Sequence, residues 1–251
     1  MIGLGIGLWN ASMTSAPWWT PAAISGASYY DVSNASSVLV ERTGASATTQ
    51  SSTDGPVGTL LDLSGNGRHL IAPSDAARPV LRVVSGKRAL QGDDTTLWMQ
   101  STPAFDLTST WSHVGAWKAT SSGRYGFGKS ATGSGRAGLL YNVSVWGWRN
   151  AADSAHSPLT TSSPASAHVL TIEKASVLAA RFNGVSEVAG FAPYDDSASS
   201  QRLVLFSARS DFASAAWGGY FYGGVWVAGA LSEADRASAE RWAGALVGVS
   251  L

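Results

Sequence analysis

The stretch GYFYGGVWVAG, residues 219–229, consists almost entirely of aromatic residues, valines and glycines. Aromatic and β-branched side chains favour β-strands, and the glycines at both ends favour turns. The stretch therefore predicts a β-strand. Since side chains alternate between the two faces of a strand, the predicted faces are as follows: Tyr220, Tyr222 and Trp226 on one, and Phe221, Val225 and Val227 on the other.

Eleven other segments of strand length lie between Tyr29 and this stretch, and many of them are separated by Gly, Asn, Ser or Asp. They are residues 37–42, 58–63, 80–84, 88–92, 96–100, 112–119, 137–148, 168–174, 178–184, 186–191 and 202–208. A dozen short strands are typical of a sandwich or jelly roll. No segment between them has the helical length that a parallel βαβ unit needs. We therefore predict an all-β fold, a two-sheet antiparallel jelly-roll sandwich.

A single helix is predicted at the end of the sequence, in LSEADRASAERWAGALVG, residues 231–248. Ser232 is a favourable N-cap, and Asp235 can complete a capping box with it. One stripe of the helix, at helical spacing, is expected to dock on the sandwich: Ala234, Ala237, Trp242, Ala245 and Leu246. The predicted helix covers about residues 233–247.

The 251 residues can form one substantial core, which we place in a domain over residues 28–251. Residues 1–27 carry Pro17 and Pro21 around Trp18 and Trp19. Prolines oppose a regular helix and clustered tryptophans favour burial, so this segment is predicted to be an extended N-terminal arm. The arm is expected to pack on the domain or on a neighbouring subunit.

The composition disfavours several classes of partner and chemistry. Only 14% of the residues are charged and the formal net charge is zero, so no basic surface for nucleic acid is expected. No apolar run approaches the length of a transmembrane helix, and membrane insertion is not predicted. The absence of cysteine removes disulfides, thiolate metal sites and thiol catalysis.

The segment GRYGFGKS, residues 123–130, matches the P-loop pattern for binding nucleotide phosphates. A P-loop also needs a helix that begins at its Lys-Ser pair. Gly133 and Gly135 disfavour such a helix, so the segment is predicted to be a hairpin strand.

Other catalytic patterns are also missing from the sequence. His69, His113, His156 and His168 form no closely spaced pair, and no metal site or cofactor is predicted from them. The nearest approach to a paired-carboxylate strand motif is EADRAS, residues 233–238, which lies in the predicted helix. A glycan-cleaving enzyme is therefore the third choice of function.

Two aromatic patches could bind saccharide. If YNVSVWGWRN, residues 141–150, is one strand, Asn142, Ser144, Trp146 and Trp148 share a face, with Arg149 beside them. Amides and hydroxyls can bond to sugar hydroxyls while indoles stack on the ring. The predicted Tyr220, Tyr222 and Trp226 face is the second patch. Alternatively, the arm or a neighbouring subunit covers both.

The segment DLSGNGRHL, residues 62–70, contains a readable turn. Asp62 can accept hydrogen bonds from the amides that follow, and Asn66-Gly67 suits a tight turn with positive φ. The segment resembles the D-x-S-G-N-G-x-H … G-x-x-A-L-x-G-D pattern of concanavalin A-like, laminin-G-like jelly-roll domains. The first half of the pattern matches Asp62, Ser64, Gly65, Asn66 and Gly67, and the second half matches the following RPVLRVVSGKRALQGDD. The terminal ALSEADRASAERWAGALVG is similar to the closing strand and helix of these domains, with Asp235 where the pattern has Glu.

Residues 29–82 also resemble a stretch common in tailed-phage virion proteins. The shared features are a Tyr-Asp-x-Ser start at Tyr30, a Pro-Val-Gly turn at Pro56 and an Ala-x-Arg-Pro exit at Ala76. This resemblance implies a protein of a phage or phage-like virion, assembled in the cytoplasm of a bacterial host. It implies contacts with other virion subunits through the arm and a homo-oligomer or multicopy arrangement.

The resemblance also implies a function. The leading expectation is a non-enzymatic virion structural protein that displays a lectin-like domain and binds host cell-surface polysaccharide. The alternative is a purely structural head-decoration or tail component. Many laminin-G-like domains bind calcium, but Asp93 with Asp94 and Asp195 with Asp196 are too sparse to place an ion.

Overall fold

The computed structural model describes residues 19–93, 95–105, 110–120, 124–130, 136–142, 145–149, 156–158, 166–175, 177–191, 202–207 and 217–251. From residue 129 to 158, at 124–125 and at 187–191, the description covers the backbone alone. Among the described residues no helix is long and apolar enough to cross a membrane.

The described elements are mainly short strands. In chain order they are β1 (Ala27–Asp31), β2 (Val38–Leu39), β3 (Thr59–Leu60), β4 (His69–Ile71), β5 (Val80–Val84), β6 (Lys87–Gly92), β7 (Met99–Thr102), β8 (Trp111–Ala119), β9 (Arg124–Ser130), β10 (Arg136–Asn142), β11 (Val145–Arg149), β12 (His156–Pro158), β13 (His168–Lys174), β14 (Leu178–Phe182), β15 (Val185–Phe191), β16 (Arg202–Leu205) and β17 (Gly219–Val227). One α-helix, α1 (Glu233–Val247), follows them. Short 3-10 turns lie at Pro21–Ala23, Ala35–Ser37, Gly44–Ser46 and Asp75–Ala77.

These strands form two antiparallel sheets. The eight-stranded sheet has the order β15-β14-β13-β8-β17-β6-β5, and β1 pairs with the second half of β17. The nine-stranded sheet has the order β12-β11-β10-β9-β16-β7-β4-β3-β2. The predicted all-β sandwich of two antiparallel sheets with one C-terminal helix is therefore confirmed.

The main core lies between the two sheets and is rich in aromatic side chains. Trp111, Trp117, Trp217 and Trp226 are all fully buried there. Phe127 of β9 contacts the rings of Trp117 and Trp226 across the sandwich, with centroid distances of 6.1 and 5.8 Å. Most of the described tryptophans therefore contribute to packing, because burying large apolar surface is the main source of stability.

A second apolar cluster lies between the outer face of the eight-stranded sheet and α1. It includes Val114 and Val225 from the sheet and Ala239 and Ala243 from the helix. Trp242 packs edge-on against Tyr29 from β1, at a centroid distance of 6.1 Å. The helix bounds agree with the prediction, and the hydroxyl of Ser232 accepts a hydrogen bond from the amide of Asp235 at 3.0 Å.

The predicted docking stripe of α1 is partly wrong. The buried helix residues are Ala239, Glu240, Ala243 and Gly244, whereas Ala234 and Ala245 are exposed. The reason is Glu240, which sequence patterning assigns to solvent. Its carboxylate lies in the interface because it accepts hydrogen bonds from Arg181 and Thr171, both at 2.8 Å.

The predicted faces of β17 are also wrong, because the strand contains a β-bulge. The register of β17 against β8 shifts between Phe221 and Gly223, so Tyr222 is the extra residue. A bulge reverses the alternation that follows it. Trp226 therefore shares the inner face with Phe221, and Tyr220 and Tyr222 share the outer face with Val225.

Two other predictions concern the segment with the P-loop pattern and the arm. Residues Arg124–Ser130 form β9, which pairs antiparallel with β10 and β16, as the hairpin interpretation predicted. Ser130 is the last residue of β9, and residues 131–135, where the P-loop helix would continue, lie outside the described residues. Residues 1–18 of the predicted arm lie outside the described residues, and Pro21–Ala23 form a 3-10 turn where an extended chain was expected.

Candidate functional site: a lysine and tyrosine cavity beside the helix

A cavity of about 500 Å³ lies on the outer face of the eight-stranded sheet, beside the C-terminal end of α1. This size suits a small organic ligand. The lining residues come from the β5–β6 hairpin, β8, the segment before β13, β17 and the end of α1: Val84, Ser85, Lys87, Lys118, Ser166, Ala167, Tyr222, Val247, Gly248 and Val249.

Side chains of β8 and β17 form the floor of the cavity. Lys118 of β8 pairs with Tyr220 of β17, and its Nζ lies 6.0 Å from the centre of the Tyr220 ring. Directly opposite residues of an antiparallel pair project from the same face. Tyr222 lies two residues beyond Tyr220 and therefore on the same face, where it lines the cavity together with Lys118.

The Tyr222 hydroxyl is a hydrogen-bonding group suited to a ligand. Tyr222 is only 2% exposed, yet its hydroxyl has no hydrogen bond to a described residue. Burial, and to a lesser extent Tyr220, raises the pKa of Tyr222 to about 12. The phenol is therefore protonated at neutral pH and can donate a hydrogen bond. A phenol that lines a cavity without a described partner can bond to a ligand that enters the cavity.

The walls of the cavity are fixed by two turns. The β5–β6 hairpin turns at Ser85 and Gly86, whose φ values are 52° and 77°. At the helix end, Gly248 adopts a left-handed conformation with φ 76°, which lets the chain leave α1 at this point. Lys87 joins the two walls, because its Nζ donates to the carbonyl oxygen of Ala245 at 3.1 Å.

The cavity is positively charged. Its lining includes the ammonium groups of Lys87 and Lys118 and, among the described residues, no Asp or Glu. The carbonyl end of α1 carries a partial negative charge that offsets part of the Lys87 charge. Among the described residues, no carboxylate lies within ion-pair distance of Lys118. The site can therefore attract an anionic group and donate hydrogen bonds to it.

The second predicted patch is only partly retained. Tyr220 and Tyr222 lie together beside Lys118, as described above. Trp226 is fully buried in the main core, stacked on His113 at a centroid distance of 4.2 Å. Including Trp226 in a sugar-binding surface was therefore wrong, and the physical reason is the bulge at Tyr222.

The first predicted patch does not lie on one strand. β10 ends at Asn142 and β11 begins at Val145, and the two strands pair antiparallel with Asn142 opposite Val145. In this register Trp146 and Trp148 occupy one sheet face, while Asn142 and Arg149 occupy the other. Ser144 lies outside the described residues. Saccharide contact by this part of the nine-stranded sheet stays a prediction, and the patch lies on a different sheet from the cavity.

The Asp62 turn has the structural role that its pattern predicts. Oδ1 of Asp62 accepts hydrogen bonds from the amide of Tyr29 at 3.2 Å and from the amide and hydroxyl of Ser64 at 3.0 and 2.6 Å. Oδ2 accepts from the amide of Arg68 at 3.1 Å. Gly65 and Gly67 have φ values of 87° and 69°. The turn thus anchors β1 and is part of the fold.

The acidic pair considered for calcium is only half described. Burial alone would raise the pKa of Asp93, but hydrogen bonds from Thr95, Thr96 and Leu97 outweigh it and hold the pKa well below its ordinary value. Asp94, Asp195 and Asp196 lie outside the described residues. Within the described part of the chain, no group of three or more metal-ligating side chains occurs.

Sequence reasoning missed Lys87, Lys118 and the two serines of the cavity. The alternation in SHVGAWKA does place Lys118 on the face opposite Trp117. Its partner Tyr220, however, is about a hundred residues away in sequence, and no local pattern predicts that register.

No protein-family model and no curated protein sequence matches the chain. Solved structures do match its fold. An α-L-arabinofuranosidase of family GH54, soaked with a cyclic sulfate inhibitor, gives a TM-score of 0.60 at 14% identity, over 88% of this chain and 62% of that chain. The chain spans 62%, 63% and 61% of the length of three arabinofuranosidase structures.

Two further domains match as well. Domain 4 of AbnA, a GH43 extracellular arabinanase from Geobacillus stearothermophilus in complex with arabinotriose, gives a TM-score of 0.50 at 11% identity, over 67% of this chain and 84% of that chain. The receptor-binding domain of a botulinum neurotoxin C/D mosaic serotype gives 0.54 at 12% identity, over 73% of this chain and 48% of that one. At these identities the likeness is one of fold.

These neighbours contradict the expected function of a non-enzymatic virion structural protein. The structures with the matching fold are glycoside hydrolases and a toxin domain, and none of those named here is a virion protein. We therefore withdraw that expectation. The virion location, the oligomer and the subunit partners are untested and stay predictions from the sequence.

Proposed function

We propose that the chain is a glycan-binding β-sandwich module that holds a saccharide in the cavity beside α1. The observation that carries the proposal is Tyr222, which lines the cavity and whose hydroxyl lacks a hydrogen-bond partner among the described residues. A sugar hydroxyl can accept the hydrogen bond that this phenol offers.

The rest of the cavity fits a sugar in size and chemistry. Ser85 and Ser166 contribute hydroxyls, and Val84 and Val247 contribute apolar surface. A few placed polar groups within an apolar frame are the usual composition of a small-ligand site. Further support comes from the matching fold, since one structural neighbour was solved with arabinotriose bound.

The test is a binding survey with purified protein. Isothermal titration against arabino-, galacto-, gluco- and uronic acid oligosaccharides should give saturable binding to at least one of them. Replacing Tyr222→Phe removes only the hydroxyl and should weaken that binding about fivefold to tenfold, the effect of one neutral hydrogen bond. The matched control is Tyr30→Phe, which removes a phenol that is bonded to the Arg68 carbonyl, lies in the main core and does not line the cavity.

The outcomes separate binding from other functions. Unchanged affinity in Tyr222→Phe, with the fold intact by circular dichroism, would place the saccharide elsewhere and refute the cavity. Absence of binding to every saccharide would refute the function. Incubating the bound oligosaccharide with the protein and measuring reducing ends tests whether the module also cleaves its ligand.

A further inference from the structure

We infer that the ligand of the cavity is an anionic saccharide, a sugar that carries one acidic substituent. This inference rests on the proposed function and specifies its substrate class. It is carried by two lysines that line one cavity, Lys87 and Lys118, and no carboxylate of the described lining neutralises their charges.

The two lysines differ in what they already contact. Lys87 donates to the Ala245 carbonyl at 3.1 Å and so stabilises the end of α1. Lys118 is half-buried, and its ammonium lies 6.0 Å from the centre of the Tyr220 ring, with no hydrogen bond or ion pair to a described residue. A ring at that distance leaves the three N–H donors of an ammonium available. Lys118 is therefore the lysine that can bond directly to an acidic group.

The arrangement suits an acidic substituent on a sugar better than a neutral sugar or a free anion. An ammonium in a partly enclosed site interacts more strongly with an anion than it would in bulk water, since the local dielectric is lower. The Tyr222 phenol cannot neutralise Lys118, because its pKa of about 12 keeps it protonated. The phenol and the serines instead offer bonds to ring hydroxyls. Charge and hydroxyl recognition thus occur in the same cavity.

Matched pairs of sugars test the charge requirement. D-galacturonate should bind more tightly than D-galactose, and D-glucuronate more tightly than D-glucose, by about tenfold in low salt. The preference should decline toward 0.5 M NaCl, since salt screens the attraction. Galactose 6-sulfate serves as a third probe, which distinguishes a carboxylate from another acidic substituent.

Two variants assign the preference to its residue. Lys118→Gln replaces the ammonium with a neutral amide and should remove most of the preference for galacturonate over galactose. The control is Arg241→Gln, which removes a positive charge from the exposed face of α1, where Arg241 bonds to Ser238. It should leave both affinities unchanged.

Failure of this inference is distinguishable from failure of the proposed function. Equal binding of galactose and galacturonate, weakened alike by Tyr222→Phe, would overturn the anionic class and keep glycan binding. If acetate displaces galacturonate at equal concentration, the assignment of a saccharide ligand would be overturned, because the site would then recognise the charge alone. No binding of any sugar would overturn both.

Discussion

Trp117 donates its indole N–H to Nε2 of His113 across 3.2 Å, in the fully buried space between the sheets. The other ring nitrogen, Nδ1, lies 3.0 Å from the carbonyl oxygen of Val225 and therefore carries the proton. Gly115 lies between these two residues in β8, and a Cβ there would come within 2.5 Å of His113 Nε2. Only glycine fits beside this hydrogen bond.

The buried histidines predict how stability depends on pH. Burial lowers the pKa of His113 from 6.5 to about 3 and that of His168 to about 4, although hydrogen bonds to carbonyls raise them slightly. The unfolded chain therefore binds more protons than the folded one between about pH 6.5 and pH 4. The free energy of unfolding should fall as the pH falls through this window, by up to about 1.4 kcal/mol per pH unit for each histidine.

Urea unfolding of the wild type and of His113→Gln across this range checks the prediction. In the variant, the change in the free energy of unfolding with pH should be smaller by the contribution of about one proton. His69→Gln is the control, since His69 is partly exposed and burial lowers its pKa less than that of His113. A slope that is the same in His113→Gln and the wild type would contradict the assignment.

Trp226 should behave as a core residue and not as a ligand contact. It is fully buried and its ring lies 5.5 Å from Tyr30 and 5.9 Å from Phe221. Trp226→Ala should lower the free energy of unfolding by about 3–5 kcal/mol, the usual effect of truncating a buried aromatic. Tyr220→Ala, on the outer face, should cost about 1 kcal/mol. Denaturant melts of both variants decide this, and similar losses would argue against the assigned faces.

The buried carboxylate of Glu240 should contribute more to stability than the more exposed ion pair that joins α1 to β13. Glu240 is 4% exposed and bonds to Arg181 and Thr171, whereas Glu173 and Arg236 form an ion pair at 3.0 Å nearer the surface. Glu240→Ala leaves the Arg181 guanidinium without its carboxylate and should cost about 3 kcal/mol. Glu173→Ala should cost about 1 kcal/mol or less.

A double-mutant cycle completes this comparison. Arg181→Ala with Glu240→Ala should cost clearly less than the sum of the single changes, since neither charge is then left unpaired. Additive effects, measured by urea unfolding, would show that the pair does not couple α1 to the sheet.

Local features of the fold were predictable from the sequence, and long-range ones were not. The Asn183-Gly184 turn has φ values of 48° and 77°, as an Asn-Gly hairpin requires, and the helix bounds follow from Ser232 and Gly248. In both cases the determining atoms lie within a few residues. The burial of Glu240, by contrast, depends on Arg181, which is 59 residues away.

The candidate site depended most on features that no local pattern reveals. A bulge at Tyr222 exchanged the faces of the β17 residues that follow it. The end of β10 at Asn142 divided a stretch that the alternating pattern had predicted to be one strand. In both cases the alternation is shifted by one residue. Because successive residues lie on opposite faces of a strand, such a shift exchanges the faces of the residues that follow it. Lys118 became part of the site only through its register opposite Tyr220.

Asp62 and Asp31 make the same kind of turn and provide a matched pair for the last prediction. Oδ1 of Asp31 accepts only from the amide and hydroxyl of Ser33, at 2.8 and 2.6 Å, in an exposed turn. Asp62 is 5% exposed, makes the equivalent bonds to Ser64, and also accepts from the amides of Tyr29 and Arg68. Asp62→Ala would leave those amides without an acceptor and should cost about 2–3 kcal/mol, against about 0.5 kcal/mol for Asp31→Ala. Urea unfolding of the two variants measures the difference; equal losses would mean that the Asp62 turn stabilises only itself and does not anchor β1.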